Sequence, residues 1–155
     1  MNKTQFVYVT FIRTTPERLW TALTDREFTT QYWFGAHCES DFTPGSPWRL
    51  VFDDGRLADA GEIVESVPPR RLVIRWRNEW KPEFKAEGYS LCTLEIEPVD
   101  DVAVPAVRLS VTHTMERADS PFIGAVSGGW PRILSNLKSL LETGETLLNP
   151  VKVKG

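Results

Sequence analysis

The sequence predicts an α+β domain: a curved antiparallel sheet of six to seven strands around one long C-terminal α-helix, with two short helices after the first strand. Three observations predict it. From His37 to Met115, apolar and polar residues alternate in run after run, the period of strands with one buried and one wet face. From Trp130 to Leu141 the period changes to three and four. Turn signals between the runs are short, so consecutive strands pair antiparallel.

Phe6 to Arg13 reads as the first strand. Val7, Val9 and Phe11 alternate with Tyr8, Thr10 and Ile12, and both sets are largely apolar, so the strand is expected either to be covered on both faces or to sit where a helix crosses it. Thr14-Thr15-Pro16-Glu17 is a helix start, with a hydroxyl cap, Pro in the first turn and an acid at the positive end of the dipole. Leu19, Trp20 and Leu23 follow at helical spacing. Thr24-Asp25 caps a second short helix marked by Phe28, Tyr32 and Trp33 and ended by Gly35.

The strands begin at His37–Phe42. After the Pro44-Gly45-Ser46-Pro47 turn, Trp48, Leu50 and Phe52 alternate with Arg49, Val51 and Asp53. Asp54-Gly55 is a hairpin signal leading to Leu57–Val67. Past Pro68-Pro69, Leu72, Ile74 and Trp76 alternate with Val73, Arg75 and Arg77, which puts the two Arg on the solvated face. Asn78 to Glu87 is a polar loop carrying Trp80 and Phe84. Cys92, Leu94 and Ile96 then share a face, as do Val107, Leu109, Val111, His113 and Met115 after the Asp100–Pro105 turn.

Trp130, Ile133, Leu134, Leu137, Leu140 and Leu141 form the apolar stripe of the last helix, which ends at Gly144. Pro131 fits its first turn, after Gly128-Gly129. Phe122, Ile123 and Val126 suggest an earlier helical turn, so a kink or break is expected near Gly128 to Pro131. Residues 1–144 are expected to be one domain, and 145–155 a poorly ordered tail or a segment that packs on a partner. A curved sheet gripping one helix is the helix-grip arrangement. One helix cannot fill the hollow of such a sheet, so either large side chains fill it or a cavity remains.

Composition narrows the function. The 155 residues fit one domain able to bury about 70% of its unfolded surface. With 18 Lys and Arg against 21 Asp and Glu, the net charge is −3, and no basic stripe suggests nucleic acid as a partner. Cys38 and Cys92 lack metal-ligand spacing and read as buried free thiols. No signal peptide and no apolar run of spanning length is present, so a cytoplasmic location without a membrane span is expected. No nucleophile, phosphate-loop or metalloprotease motif occurs, so no catalytic residue, metal or cofactor is assigned.

Thr15-Pro16-Glu17-Arg18-Leu19-Trp20-Thr21-Ala22-Leu23-Thr24 resembles the opening of the SRPBCC (START-like) superfamily. Several later features are similar to one subfamily. They are Tyr32-Trp33, the Pro44-Gly45 turn, Gly61-Glu62-Ile63-Val64-Glu65 leading to Pro68-Pro69-Arg70-Arg71-Leu72, and Gly129-Trp130 leading to Leu134 and Leu137. That subfamily, AHSA-type, is related to the C-terminal domain of the activator of the heat-shock protein 90 ATPase. The resemblance covers roughly residues 5–143 and implies a helix-grip fold with a hydrophobic cavity between sheet and long helix. Pro131 departs from the family pattern, which continues the helix there, and the segment Glu116 to Phe122 is short for the family. The eukaryotic co-chaperone also has a separate N-terminal domain, and no room for one is expected within these 155 residues.

The residues expected to line the cavity are Trp33, Trp48, Phe52, Trp76, His113, Met115, Trp130 and Leu134. Indoles bring area and one donor each, which suits a planar ligand, but they serve equally to fill the hollow. His113, polar on an apolar face, reads either as a satisfied core histidine or as a group that orients a ligand. Trp80 and Phe84 suggest a lid, a contact surface, or a loop pinned by its aromatics. Glu62 is taken to point inward, toward an Arg or His113. Three functions follow in order of preference: a domain that binds or carries a small hydrophobic ligand, a protein-interaction module, and an enzyme acting on a hydrophobic substrate through His113.

Overall fold

The structure is a computed structural model and describes residues 3–148. Strand β1 (Thr4–Ile12) leads into helices α1 (Pro16–Thr24) and α2 (Arg26–Tyr32). Five strands follow, β2 (Ala36–Ser40), β3 (Pro47–Phe52), β4 (Leu57–Val67), β5 (Arg71–Asn78) and, after the four-residue helix α3 (Pro82–Lys85), β6 (Ser90–Pro98). Strand β7 (Val107–Met115) and helix α4 (Pro121–Thr143) complete the order. The seven strands form one antiparallel sheet ordered β1-β7-β6-β5-β4-β3-β2. The fold is the helix-grip α+β arrangement.

The predicted caps are in place. Thr15 Oγ1 accepts from the Arg18 N–H and Asp25 from the Phe28 N–H, so each short helix starts on a side-chain oxygen. Tyr32 donates its hydroxyl to the Ala22 carbonyl at 2.7 Å and locks α2 onto α1. Register shifts at Leu50/Val51 and at Ile63/Glu65 each insert one residue into β4. Such bulges bend a strand and raise its twist, which curves this part of the sheet. The core lies in the resulting hollow, where Leu134, Leu137 and Leu141 of α4 meet inward residues such as Ile63, Leu94 and Leu109.

Two expectations are corrected, and a third is narrowed to one of its alternatives. Helix α4 does not begin at Trp130. It starts at Pro121, with Ser120 Oγ accepting from the Ile123 N–H, and runs through Pro131 without a break. The carboxylate of Glu87 explains the early start, since it accepts from the Phe122 N–H at 2.9 Å and from Ser120 Oγ at 2.5 Å. These bonds occupy backbone donors that a helix start otherwise leaves open. Glu62 does not point inward. It faces Arg75 at 3.6 Å on the outer surface, where both stay half exposed. The outer row of β1 is not covered, since Val7 and Phe11 are 51% and 53% exposed; of the two alternatives for this strand the second holds, with α4 packed against it and Lys138 donating to the Phe11 carbonyl.

Residues 145–148 fold back on α4. Asn136 bonds the Leu148 backbone through both its amide oxygen and nitrogen, and Ser139 donates to the Glu145 carbonyl. The rest of the predicted tail, 149–155, lies outside the described residues.

Candidate functional site

The site is built on an indole cluster. Gly61 of β4 stands opposite Trp48 of β3 and Trp76 of β5. With no side chain between them, the two indoles meet with ring centroids 4.3 Å apart. Trp130 of α4 meets Trp76 edge-on at 5.8 Å, and Trp33, at the end of α2, meets Trp130 at 5.5 Å and Trp76 at 6.2 Å. Sheet, α2 and α4 therefore converge on one aromatic knot.

The knot divides the hollow. Below it, beside Trp48 and Leu134, remains a void of about 20 Å³, little more than the space one water occupies. Above it, between the ends of β4 and β5, the β5–β6 connection and the first half of α4, opens a cavity of about 350 Å³. Trp33, Trp76 and Trp130 form its floor, Trp80 and Phe84 one wall, and Val126, Gly129 and Ile133 the other.

The predicted lining residues thus separate. Trp33, Trp76 and Trp130 face the cavity, whereas Trp48 and Leu134 lie at the inner void. Phe52 sits outside the floor, edge-on to Trp80 at 5.8 Å, and Met115 is buried in the core.

His113 lies beneath the floor. Its Nδ1 accepts from the Trp130 indole N–H at 3.1 Å, so its own proton sits on Nε2, which donates to Ser90 Oγ at 2.7 Å. Ser90 in turn donates to the Trp76 carbonyl at 3.0 Å. Every polar atom of this relay has a partner inside the protein. Burial holds the imidazole neutral, with its pKa pushed down to about 3.

Asp59 and Lys81 are the charged side chains of the cavity that sequence reasoning missed, and Asp59 is the buried one. It lines the cavity opposite Asn78 and is only 7% exposed. Burial raises its pKa to about 7; the Trp76 and Asn78 N–H groups pull it down, while the nearby charge of Glu79 pushes it up. The Trp76 indole N–H lies near Asp59 without completing a well-aligned hydrogen bond, which leaves a buried donor unpaired. A signal was available, because Asp59 shares the strand parity of Gly61 and of the fully buried Ile63.

The wall is also anchored. Asn78 Oδ1 accepts from the backbone N–H groups of Trp80 and Lys81, which starts the turn that lifts Trp80 over the cavity. At the far end of the connection, Glu87 bonds it to the start of α4. The Lys81 ammonium lies over both aromatic rings of the wall, 5.2 Å from Trp80 and 5.3 Å from Phe84.

Among the described residues no cluster of His, Cys, Asp and Glu forms a metal site, and no helix is long and apolar enough to cross a membrane. Cys38 and Cys92 are buried and free, and burial pushes both thiols above their ordinary pKa.

The model of the family described as "Activator of Hsp90 ATPase homolog 1-like protein" matches residues 13–142. The chain belongs to that family. Solved structures agree on the fold of this AHSA-type SRPBCC domain. A Mesorhizobium loti protein has a TM-score of 0.74 at 22% identity, covering 90% of this chain and 97% of that one. An HSP90 activator from Plasmodium falciparum has a TM-score of 0.70 at 24% identity, with 89% and 96% covered. The Aha1 dimer of Colwellia psychrerythraea gives 0.71 at 16% identity, with 91% and 98% covered. No match was found among curated proteins. At these identities the likeness concerns the fold, and function is argued from the site.

Proposed function

We propose that this domain binds or carries a small hydrophobic or aromatic molecule in the cavity between Trp33, Trp80 and α4. One observation carries the reading: about 350 Å³ of space lined by four indoles, within the size range of ligand pockets, above a core that keeps only a water-sized void. Trp80 and Phe84 supply the wall that a ligand touches from the solvent side. The relay around His113 favours binding over catalysis, since both ring nitrogens are engaged and the imidazole holds no exchangeable charge near neutral pH.

Thermal shift against planar aromatics and fatty acids tests it. A ligand bound to the native state alone at one hundred times its Kd adds about 2.7 kcal/mol. For a domain of this size that raises Tm by about 5–10 °C. Filling the space by Val126→Trp removes the shift. If binding persists in that variant, the ligand sits elsewhere.

A second reading, a protein-contact module, is favoured by the exposed Val7, Val9 and Phe11 of β1 and by the family. Stimulation of an Hsp90 ATPase by this chain, lost in Val9→Ser/Phe11→Ser, supports it; an unchanged ATPase rate speaks against it.

A further inference from the structure

Building on the ligand cavity just proposed, we infer that its ligand carries a protonated amine on an apolar ring body, and that Asp59 is the counter-ion.

The cavity is apolar except at one end. There Asp59 is only 7% exposed, and among the described residues no Lys, Arg or His forms an ion pair with it. A buried carboxyl with no cation is costly to ionise, and a cation that arrives with a ligand removes that cost. Lys81, the basic residue of the cavity wall, is held over Trp80 and Phe84 instead. Its position also shows that the aromatic rim accepts an ammonium. Glu79 deepens the negative field at this end, while its own carboxylate is paired with Arg77 and Lys85.

An anionic head group would meet Asp59 and the field of Glu79 together. A neutral head group would leave that field unanswered. An ammonium answers it, while the ring body rests on Trp33 and Trp130.

The charge state of Asp59 adds a signature. Its pKa of about 7 leaves it partly protonated at neutral pH. An ammonium bound beside it selects the carboxylate, so the carboxyl proton passes to the buffer as the complex forms. The other groups facing this end do not supply that proton. The Glu79 acid is held low by Arg77, and His113, behind Trp76, stays neutral. Leu50 on β3 and Val126, Gly129 and Ile133 on α4 do not titrate.

Isothermal titration with three probes on one ring tests the inference: 1-naphthylmethylamine, 1-naphthalenemethanol and 1-naphthoic acid. At pH 8 the amine is expected to bind at least about tenfold tighter than the alcohol, and the acid weakest. Asp59→Asn removes the preference, so that the variant binds the amine and the alcohol about equally. At pH 6.5 the wild-type heat for the amine depends on the ionisation enthalpy of the buffer, and the alcohol's does not. If Asp59→Asn fails to fold, the wild-type ranking and the buffer dependence still decide. Equal binding of amine and alcohol, or tightest binding of the acid, overturns the role of Asp59 while the cavity stands. Binding of none of the three overturns the cavity as well.

Discussion

The Trp130 indole donates its N–H to Nδ1 of His113 at 3.1 Å, and this bond joins α4 to β7 directly beneath the cavity floor. It fixes the histidine tautomer and thereby the whole relay through Ser90 to the Trp76 carbonyl. Trp130→Phe keeps a ring but leaves a buried acceptor without its donor. The expected loss is roughly 1–3 kcal/mol for that atom, plus the packing lost with the smaller ring. Urea unfolding measures it, and an unchanged midpoint contradicts the assignment.

His113 and Asp59 give opposite pH dependences. The His113 pKa is about 3 when folded and 6.5 in the ordinary case, so between these values the unfolded chain binds the extra proton. Its contribution is whole above about pH 6.5 and is lost as pH falls toward about 3. Asp59 is raised to about 7 from 3.8, so the folded chain binds the extra proton in that window. Its contribution is whole below about pH 4 and is lost as pH rises toward about 7. Asp59→Asn is therefore expected to raise Tm relative to wild type at pH 8 and to lose that advantage at pH 4. Melting curves across pH check this, and a pH-independent difference between the proteins contradicts it.

Gly61 is a packing requirement of the indole knot. A Cβ there would lie 1.6 Å from the Arg75 carbonyl oxygen, a backbone atom that cannot move aside without shifting β5. Gly61→Ala is expected to cost several kcal/mol, above the ordinary range of about 0.5–3 kcal/mol for single substitutions. Chemical unfolding with near-ultraviolet circular dichroism reads both the stability and the Trp48–Trp76 stacking. Loss of less than about 1 kcal/mol would show that the strands yield.

Trp80 is 49% exposed, so its side chain adds little to folding and is available to a bound molecule. Trp80→Ala is expected to weaken ligand binding by about tenfold or more while shifting Tm of the free protein by less than about 2 °C. A large Tm loss with unchanged affinity would make it a structural pin instead.

The order of elements was legible because one-sided burial writes a period of two into β6 and β7 and a period near 3.6 into α4. The start of α4 was not. Glycines and Pro131 mask the helical signal there, and the carboxylate that completes the N-terminus, Glu87, comes from a loop 33 residues away from Ser120. For β1, apolar content alone left cover on both faces and a crossing helix as alternatives, since it cannot tell a covered row from an exposed one; α4 packs on the strand, while Val7, Val9 and Phe11 are exposed. The knot of Trp33, Trp76 and Trp130 was readable from parity and helical spacing. Its division of the hollow into a small void and an open cavity depends on Gly61 and on ring orientations, which no linear pattern encodes. Asp59 was passed over because Leu57–Val67 holds three acids, Asp59, Glu62 and Glu65, and does not alternate cleanly, so its shared parity with Ile63 stands out only once Ile63 is known to be buried.

The account rests on the open space above the indole knot, and the indole N–H signals of ¹⁵N-labelled protein report on it directly. On titration with 1-naphthalenemethanol, the cross-peaks of Trp33, Trp76, Trp80 and Trp130 are expected to move together and saturate, while that of Trp20, on α1, stays in place. Saturable movement of Trp20 alone, or no movement of any of the six tryptophan signals, would contradict it.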